Sequence, residues 1–470
     1  MSVIKVDLCV IGGGSGGLSV AAGAVQMGAS VVLLEGGKMG GDCLNYGCVP
    51  SKALLAAGKH AHAMTTGAPF GVKPVVPQVD YAAAKAHVAK VIAGIEPHDS
   101  VARFEGLGVR VISAYGRFIS PREVQAGEQV IRARRFVIAT GSSPFVPPIP
   151  GLDSVRHYTN EDIFELQEQP AHLIIIGGGP IGMEMAQAHA RLGSKVTVLE
   201  GLKALGKDDP ELAAIALERI RSEGVEIVEG AMASEITAEG GVTVKTKDGA
   251  SVTGSHLLMA VGRKPNIDGL DLDKAGIEFS RTGITVGANL KTSNRRVYAI
   301  GDVAGGLQFT HMANYHAGIV IRSALFGLPA KASNAHIPWA TYTDPEIAQV
   351  GLTEAEASEK HGSALEVLRF DFAENDRARA ELNTNGLIKV MVVKGRPVGA
   401  SIVGAGAGEL IQVWALVIAN RLKIGAVAAM VSPYPTMGEI NKRVAGAYYS
   451  PRLFERAWIK RMVGFVQRLW

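Results

Sequence analysis

Residues 6–35 read VDLCVIGGGSGGLSVAAGAVQMGASVVLLE, a short apolar run, three glycines in G-x-G-x-x-G spacing (Gly12, Gly14, Gly17), a small-residue helix pattern, and a second apolar run closed by Glu35. This order predicts a βαβ unit. The glycines allow a tight turn and close approach of a pyrophosphate to the helix N-terminus, and an acid closing the second strand can hold a ribose diol. The pattern returns at residues 171–200, AHLIIIGGGPIGMEMAQAHARLGSKVTVLE, with Gly177, Gly179, Gly182 and the closing acid Glu200. In both copies 23 positions separate the first glycine from the acid. Two such units imply two dinucleotides and chemistry that passes electrons between them.

Between and after these units the pattern is mixed. Residues 80–97 have helical periodicity, 109–138 alternate as strands up to FVIATG, and the proline cluster at 144–150 reads as a stiff connector. Residues 241–262 hold short strands, and from about His336 strands alternate with amphipathic helices.

Just beyond the first unit lies GGDCLNYGCVPSK, residues 40–52, with Cys43 and Cys48 five positions apart. The chain has 3 cysteines, so a disulfide scaffold is excluded, and a close pair in a cysteine-poor chain points to redox or metal chemistry. Metal is the weaker reading, because a zinc site wants four ligands and the remaining cysteine, Cys9, lies inside an apolar strand; no metal site is expected. Two buried cysteines acting as small hydrophobes would be the bland alternative. If Cys48 opens a helix, Lys52 lies one turn on, where its cation can stabilise a thiolate.

The chain has 470 residues, 47% hydrophobic and 20% charged, as expected of a soluble globular protein of about three domains. The apolar stretch at the N-terminus is broken by glycine too soon for a signal peptide or a membrane span, which predicts a cytoplasmic body. Net charge is +4, and residues 451–470 carry five basic side chains against one acid, leaving 43 charges of each sign elsewhere. That balance argues against nucleic acid as a partner. The segment SPRLFERAWIKRMVGFVQRLW sets Phe454, Trp458, Met462, Phe465 and Leu469 at helical spacing among basic residues. It predicts a basic amphipathic helix, either lying on the inner face of a membrane or packed on its own dimer.

The run GGDCLNYGCVPSK, in company with the two glycine-rich units, resembles the disulfide motif of the class I pyridine nucleotide-disulfide oxidoreductases, which include dihydrolipoamide dehydrogenase, glutathione reductase and mercuric reductase. The resemblance covers nearly the whole chain. It implies an α/β fold with two Rossmann-like dinucleotide-binding domains and an α+β C-terminal dimerisation domain. The expected divisions are 1–148 with 266–335 for FAD, 149–265 for NAD(P), 336–450 for dimerisation, and 451–470 for the tail. It further implies a homodimer whose partner subunit completes each active site.

By the same resemblance FAD is held by Gly12, Gly14, Gly17, Glu35, Gly41, Asp42, the Ala139-Thr140-Gly141 turn and Asp302, with a helix from about Thr310 directed at the flavin ring. Pyridine nucleotide is held by Gly177, Gly179, Gly182, Glu200 and Gly262, the last in the return segment AVGRKPN. Cys48 becomes the charge-transfer thiolate, Cys43 the interchange thiol that meets the acceptor, and Lys52 stands by the flavin paired with Glu184. Glu200 favours NADH, with NADPH the alternative, since a carboxylate welcomes a ribose 2′-hydroxyl and repels a 2′-phosphate.

One position departs from the disulfide reductases. Their C-terminal histidine, the acid/base for the substrate thiol, corresponds to Tyr434 in SPYPTMGE, while its glutamate partner is kept as Glu439. A tyrosine of pKa about 10 is about a thousandth ionised at pH 7 and is a poor base. His311 and His316 are the candidate replacements. Mercuric reductase, with tyrosine in this region, is the better match, although its C-terminal cysteine pair has no counterpart after Cys48. The expected acceptor is a metal ion, a quinone or a disulfide. Dihydrolipoamide dehydrogenase activity, a flavin-based quinone or metal-ion reductase, and a membrane-docked redox partner without fast turnover are the alternatives.

Overall fold

A computed structural model describes residues 2–469. They form two compact units, one from residues 2–201 with 226–333, the other from 202–225 with 334–469.

In the first unit, the strand Ser2–Ile11 lies at the centre of a seven-stranded sheet. It pairs in parallel with Val31–Leu34 on one side and Gln129–Ile138 on the other. Arg110–Ile112 and Val297–Ala299 extend the parallel part, and Gly116–Ser120 and Glu123–Ala126 form an antiparallel meander against Gln129–Ile138. Val297–Ala299 comes from far along the chain, so the polypeptide returns to this sheet after leaving it. All four residues of Val31–Leu34 are buried, the pattern of a parallel strand covered on both faces. One face carries the helices Ser15–Gln26 and Thr310–Ala324, packed through Leu18, Val20, Ala21, Ala317 and Val320. Cys9 lies on the other, among Phe118, Ile131 and Phe136, fully buried, and burial pushes its thiol up.

A second parallel sheet in this unit runs Glu226–Glu229, Lys195–Glu200, His172–Ile176, His256–Met259. The helix Pro180–Arg191 follows its central strand. The two βαβ units match in detail. Gly12 and Gly177 have φ of +109° and +111°, and a Cβ on either would stand 2.4 Å from a carbonyl oxygen, that of Ala139 or Ala260. A Cβ on Gly17 or Gly182 would lie 1.9 or 2.0 Å from the oxygen of Gly12 or Gly177, so only glycine lets each helix start this close to its strand.

The second unit is built on a five-stranded antiparallel sheet in the order Pro338–Thr341, Glu346–Gly351, Arg396–Gly404, Leu387–Val393, Leu365–Asp371. Trp414, Ile440 and Val444 close its core, and the Trp414 indole N–H donates to Asn441 Oδ1 at 2.7 Å. The helix Pro210–Ser222 belongs here by contact, although residues 202–225 fall within the span 149–265 expected for nicotinamide binding. Its N-cap residue Asp209 meets the buried Lys389 ammonium at 2.9 Å, and Glu354 reaches the same nitrogen at 2.7 Å. A buried cation needs such carboxylates, and they tie this helix to the sheet.

The tail differs from the single helix expected. It forms two, Ser450–Phe454 and Ala457–Val466, interrupted at Glu455 and Arg456. Arg452, counted above with the basic face, is instead held by Glu366 at 2.6 Å and stacked 3.6 Å from the Tyr448 ring.

Candidate active site

The first glycine loop and the cysteine segment are joined backbone to backbone. Gly40 N–H donates to Gly13 O at 2.9 Å, and a Cβ on Gly41 would fall 2.7 Å from Gly14 Cα. Glu35 clasps the same loop, accepting from Gly13 N–H and Gly37 N–H, each at 2.6 Å. Glu200 does likewise for the second loop, accepting from Gly178 N–H at 2.7 Å. A Cβ on Gly179 would meet nothing within 4 Å. Each loop thus offers helix N–H groups and a fixed carboxylate, and the second an open middle glycine, which fits one dinucleotide apiece.

From this anchor the chain turns into the short helix Gly41–Asn45, which carries Cys43, and then into Cys48–Ala63, which Cys48 opens. Cys43 and Cys48 are free thiols in this structure. The Cys43 thiol donates to Cys48 Sγ, and Thr310 Oγ1, on the first residue of Thr310–Ala324, lies 3.4 Å from the same sulfur. Cys48 therefore occupies one helix N-terminus and touches another, and both favour negative charge. The Cys43 hydrogen bond first, then Thr310 and the Lys52 cation, outweigh burial and bring its pKa down to about 6. Cys43 moves up, through that same hydrogen bond and burial. Lys52, one turn along, reaches Glu184 on Pro180–Arg191 at 2.8 Å.

Because the folded-state pKa of Cys48 is depressed, its thiolate is populated above about pH 6 and lost as pH falls through that value. Iodoacetamide modification of the reduced protein, read at Cys48 by mass spectrometry, should titrate with a midpoint near 6. In Cys43→Ala, which removes the largest cause, the midpoint should rise by about one unit or more. An unchanged midpoint would assign the effect elsewhere.

The segments that leave and re-enter the first sheet are stitched together. Ser142–Pro144 pairs with Arg263–Pro265, Thr140 Oγ1 donates to Asn266 O at 2.7 Å, and Phe145 N–H donates to Gly262 O at 2.9 Å. Ala139 N–H bonds Ile11 O at 2.8 Å, and Gly141 takes φ +68°. Ser142 Oγ donates to Asp302 Oδ2 at 2.6 Å and accepts from Arg263 Nε at 2.7 Å; Arg263 also pairs with Asp42 at 3.0 Å, which Asn160 Nδ2 meets at the same distance. Burial raises the Asp302 carboxyl above its ordinary range, against the Ser142 hydrogen bond and the Arg263 charge. Ser142, Asn160 and Arg263 are not marked by any spaced motif of the sequence, although Arg263 lies inside AVGRKPN; Thr310 is marked there only as a helix start.

Two expectations are corrected. Tyr434 does not rest on Glu439: its hydroxyl donates to Asp376 Oδ2 at 2.9 Å, and Glu439 pairs with Arg443 one turn along its own helix at 3.1 Å. The Asp376 hydrogen bond raises the Tyr434 pKa, so the phenol is held protonated. His316 is no replacement base, because it is buried, its Nδ1 accepts from Gly301 N–H at 3.2 Å, and burial lowers its pKa. His311 is exposed and stacks on Phe309, ring centroids 5.3 Å apart. Among the described residues, no group of three or more His, Cys, Asp or Glu is placed to hold a metal ion.

A fold with two matched nucleotide loops and a polarised cysteine pair defines a dinucleotide-linked dithiol oxidoreductase, and comparison with known proteins agrees. Residues 6–317 match the pyridine nucleotide-disulphide oxidoreductase family and residues 337–445 its dimerisation domain. The chain is an oxidoreductase of the FAD-dependent pyridine nucleotide-disulfide oxidoreductase family. It is similar to a mercuric reductase of Bacillus cereus, 34% identical over 443 residues, covering 92% of this chain and 70% of that one. It is also similar to a dihydrolipoyl dehydrogenase of Bacillus subtilis, 31% identical over 449 residues, covering 92% and 96%. Among solved structures, the Cu(II) complex of the HOCl-induced flavoprotein disulfide reductase RclA from Escherichia coli superposes with a TM-score of 0.83 at 28% identity, covering 93% of this chain and 99% of that one.

Proposed function

We propose that the protein is a homodimeric NADH-dependent reductase that passes electrons through Cys43 and Cys48 to a soft metal ion. FAD would be held by the Gly12–Gly17 loop, Glu35, Gly41, Asp42, the 139–141 turn and Asp302, within residues 1–148 and 266–335. The nicotinamide cofactor would be held by the Gly177–Gly182 loop, Glu200 and Gly262, within 149–265, and residues 336–450 would pair the subunits. The chemistry FAD supplies when bound is hydride acceptance from the reduced nicotinamide and two-electron delivery to a neighbouring disulfide.

Cys48 keeps the negative charge of the reduced pair, supported by its two helix N-termini and Lys52, while Glu184 fixes the lysine. Cys43 keeps its proton until the acceptor arrives, and a soft cation that binds both sulfurs displaces that proton. NADH is preferred over NADPH because the fixed Glu200 carboxylate repels a 2′-phosphate; a higher kcat/KM for NADPH would overturn that preference.

The observation that carries the choice of acceptor is the Tyr434–Asp376 hydrogen bond. Oxidising a dithiol such as dihydrolipoamide requires a base to take its proton, and a phenol held protonated by a carboxylate supplies none. A soft metal ion requires no such base, and the likeness to mercuric reductases and to a reductase solved with Cu(II) supports it. The kcat/KM for Hg(II) or Cu(II) with NADH should exceed that for dihydrolipoamide oxidation with NAD+ by about a hundredfold or more, and Tyr434→His should raise dihydrolipoamide oxidation by about tenfold or more. Dihydrolipoamide oxidation by the native protein as fast as its metal reduction would overturn the reading in favour of a dihydrolipoamide dehydrogenase.

A further inference from the structure

The C-terminal helix Ala457–Val466 is an apolar feature that the redox site does not account for. No residue of it is buried: Trp458 is 58% exposed, Met462 50%, Phe465 63%, Val466 45%, and Leu469 just beyond it 67%. At 3.6 residues per turn, Trp458, Ile459, Met462, Val463, Phe465, Val466 and Leu469 fall within an arc of about 160°. Lys460, Arg461, Gln467 and Arg468 occupy the remainder. Between residues 456 and 469 there are four basic side chains and no acid. The root of the segment is fixed, because Arg452 is gripped by Glu366 and lies over Tyr448, and the backbone then breaks before the exposed helix begins.

We infer that this helix docks the protein on an anionic lipid surface, lying in the plane of the interface. An apolar arc this wide matches immersion to the depth of the headgroup–acyl boundary, where Trp458 finds its preferred level. Lys460, Arg461 and Arg468 flank that arc and snorkel their charges toward acidic headgroups. Ten residues are too few to cross a bilayer, and among the described residues no helix is long and apolar enough to do so. The charge pattern selects lipid over a second copy of the same face, since an isologous contact would set one basic rim against another. The docking is independent of which acceptor the redox site reduces.

The test is co-sedimentation of the full-length flavin-loaded protein with vesicles of phosphatidylglycerol and phosphatidylcholine, compared with phosphatidylcholine alone. The native protein should sediment with the anionic vesicles and be released at high salt. Each basic residue near such a surface strengthens binding by about fivefold, so Lys460→Gln with Arg461→Gln and Arg468→Gln should weaken partitioning on the order of a hundredfold. Met462→Glu with Phe465→Glu should weaken it by about tenfold or more through loss of the immersed surface. All five positions are exposed, and unchanged NADH oxidation in solution reports intact folding of both variants. Equal binding to neutral vesicles, or equal binding by both variants and the native protein, would overturn the inference. So would dissociation of the dimer by Met462→Glu with Phe465→Glu in analytical ultracentrifugation, which would give the face to a second subunit.

Discussion

Cys48→Ser is expected to lower NADH-dependent reduction of Hg(II) or lipoamide by about three orders of magnitude or more, since residues acting as one covalent unit fail together when either is removed. Cys43→Ser should do the same, and the double variant should be no worse than either single one. The reason lies in how the pair is polarised. Cys48 is brought to about pKa 6 by its partner's hydrogen bond, Thr310 and Lys52, and neither sulfur can reproduce the other's role. The fold should survive, because both residues lie at helix starts outside the core clusters. Direct quinone reduction should persist in both variants. Should the single variants retain a tenth or more of the metal or lipoamide activity, electrons would have to leave by a route that avoids the thiols, as in the flavin-based alternative.

Gly182→Ala is expected to cut kcat/KM for NADH by about a hundredfold or more, the effect of an ångström-scale displacement in a positioning loop. A Cβ there would come within 2.0 Å of the Gly177 carbonyl oxygen, so the helix Pro180–Arg191 has to move away from its strand. That shift also displaces Glu184 from Lys52. FAD content should be unchanged in this variant, because the loop proposed for the flavin is the other copy of the motif. Gly17→Ala, with the same clash at 1.9 Å from Gly12 O, should instead lower FAD content. The contrast separates the two loops by measurement. Loss of FAD in Gly182→Ala with retention in Gly17→Ala would reverse their assignment.

What the sequence disclosed was local. Each nucleotide loop is written within about thirty consecutive residues, since a turn, a helix start and a strand-closing acid are properties of neighbouring positions. The strand, helix and acid of both units stand where the 23-residue spacing puts them. The cysteine pair and Lys52 were legible for the same reason. Partners set by the tertiary fold were not. Asp376 lies 58 positions from Tyr434, Arg263 lies 121 from Ser142, and Thr310 lies 262 from Cys48; no periodicity links residues so far apart. The resemblance supplied Lys52 with Glu184, 132 positions apart, but not the exchange of Glu439 for Asp376 beside Tyr434. Glu439 was drawn off by Arg443, four residues on along its own helix, a local pair that the i, i+4 rule could have flagged. In the tail the residues from Trp458 onward share one helix face as their spacing predicts, whereas Phe454 falls in the separate helix Ser450–Phe454, across the break at Glu455 and Arg456.

On the proposed function, reducing equivalents pass through a bond made and broken between Cys43 and Cys48. The chain has three cysteines, of which Cys9 is fully buried, so thiol counting after rapid denaturation tests the claim without reference to any acceptor. Air-oxidised protein should show one thiol per chain, and protein reduced anaerobically with NADH should show three, the two new ones mapping to Cys43 and Cys48. Three thiols in the air-oxidised protein, or no gain on reduction by NADH, would rule out electron flow through the pair.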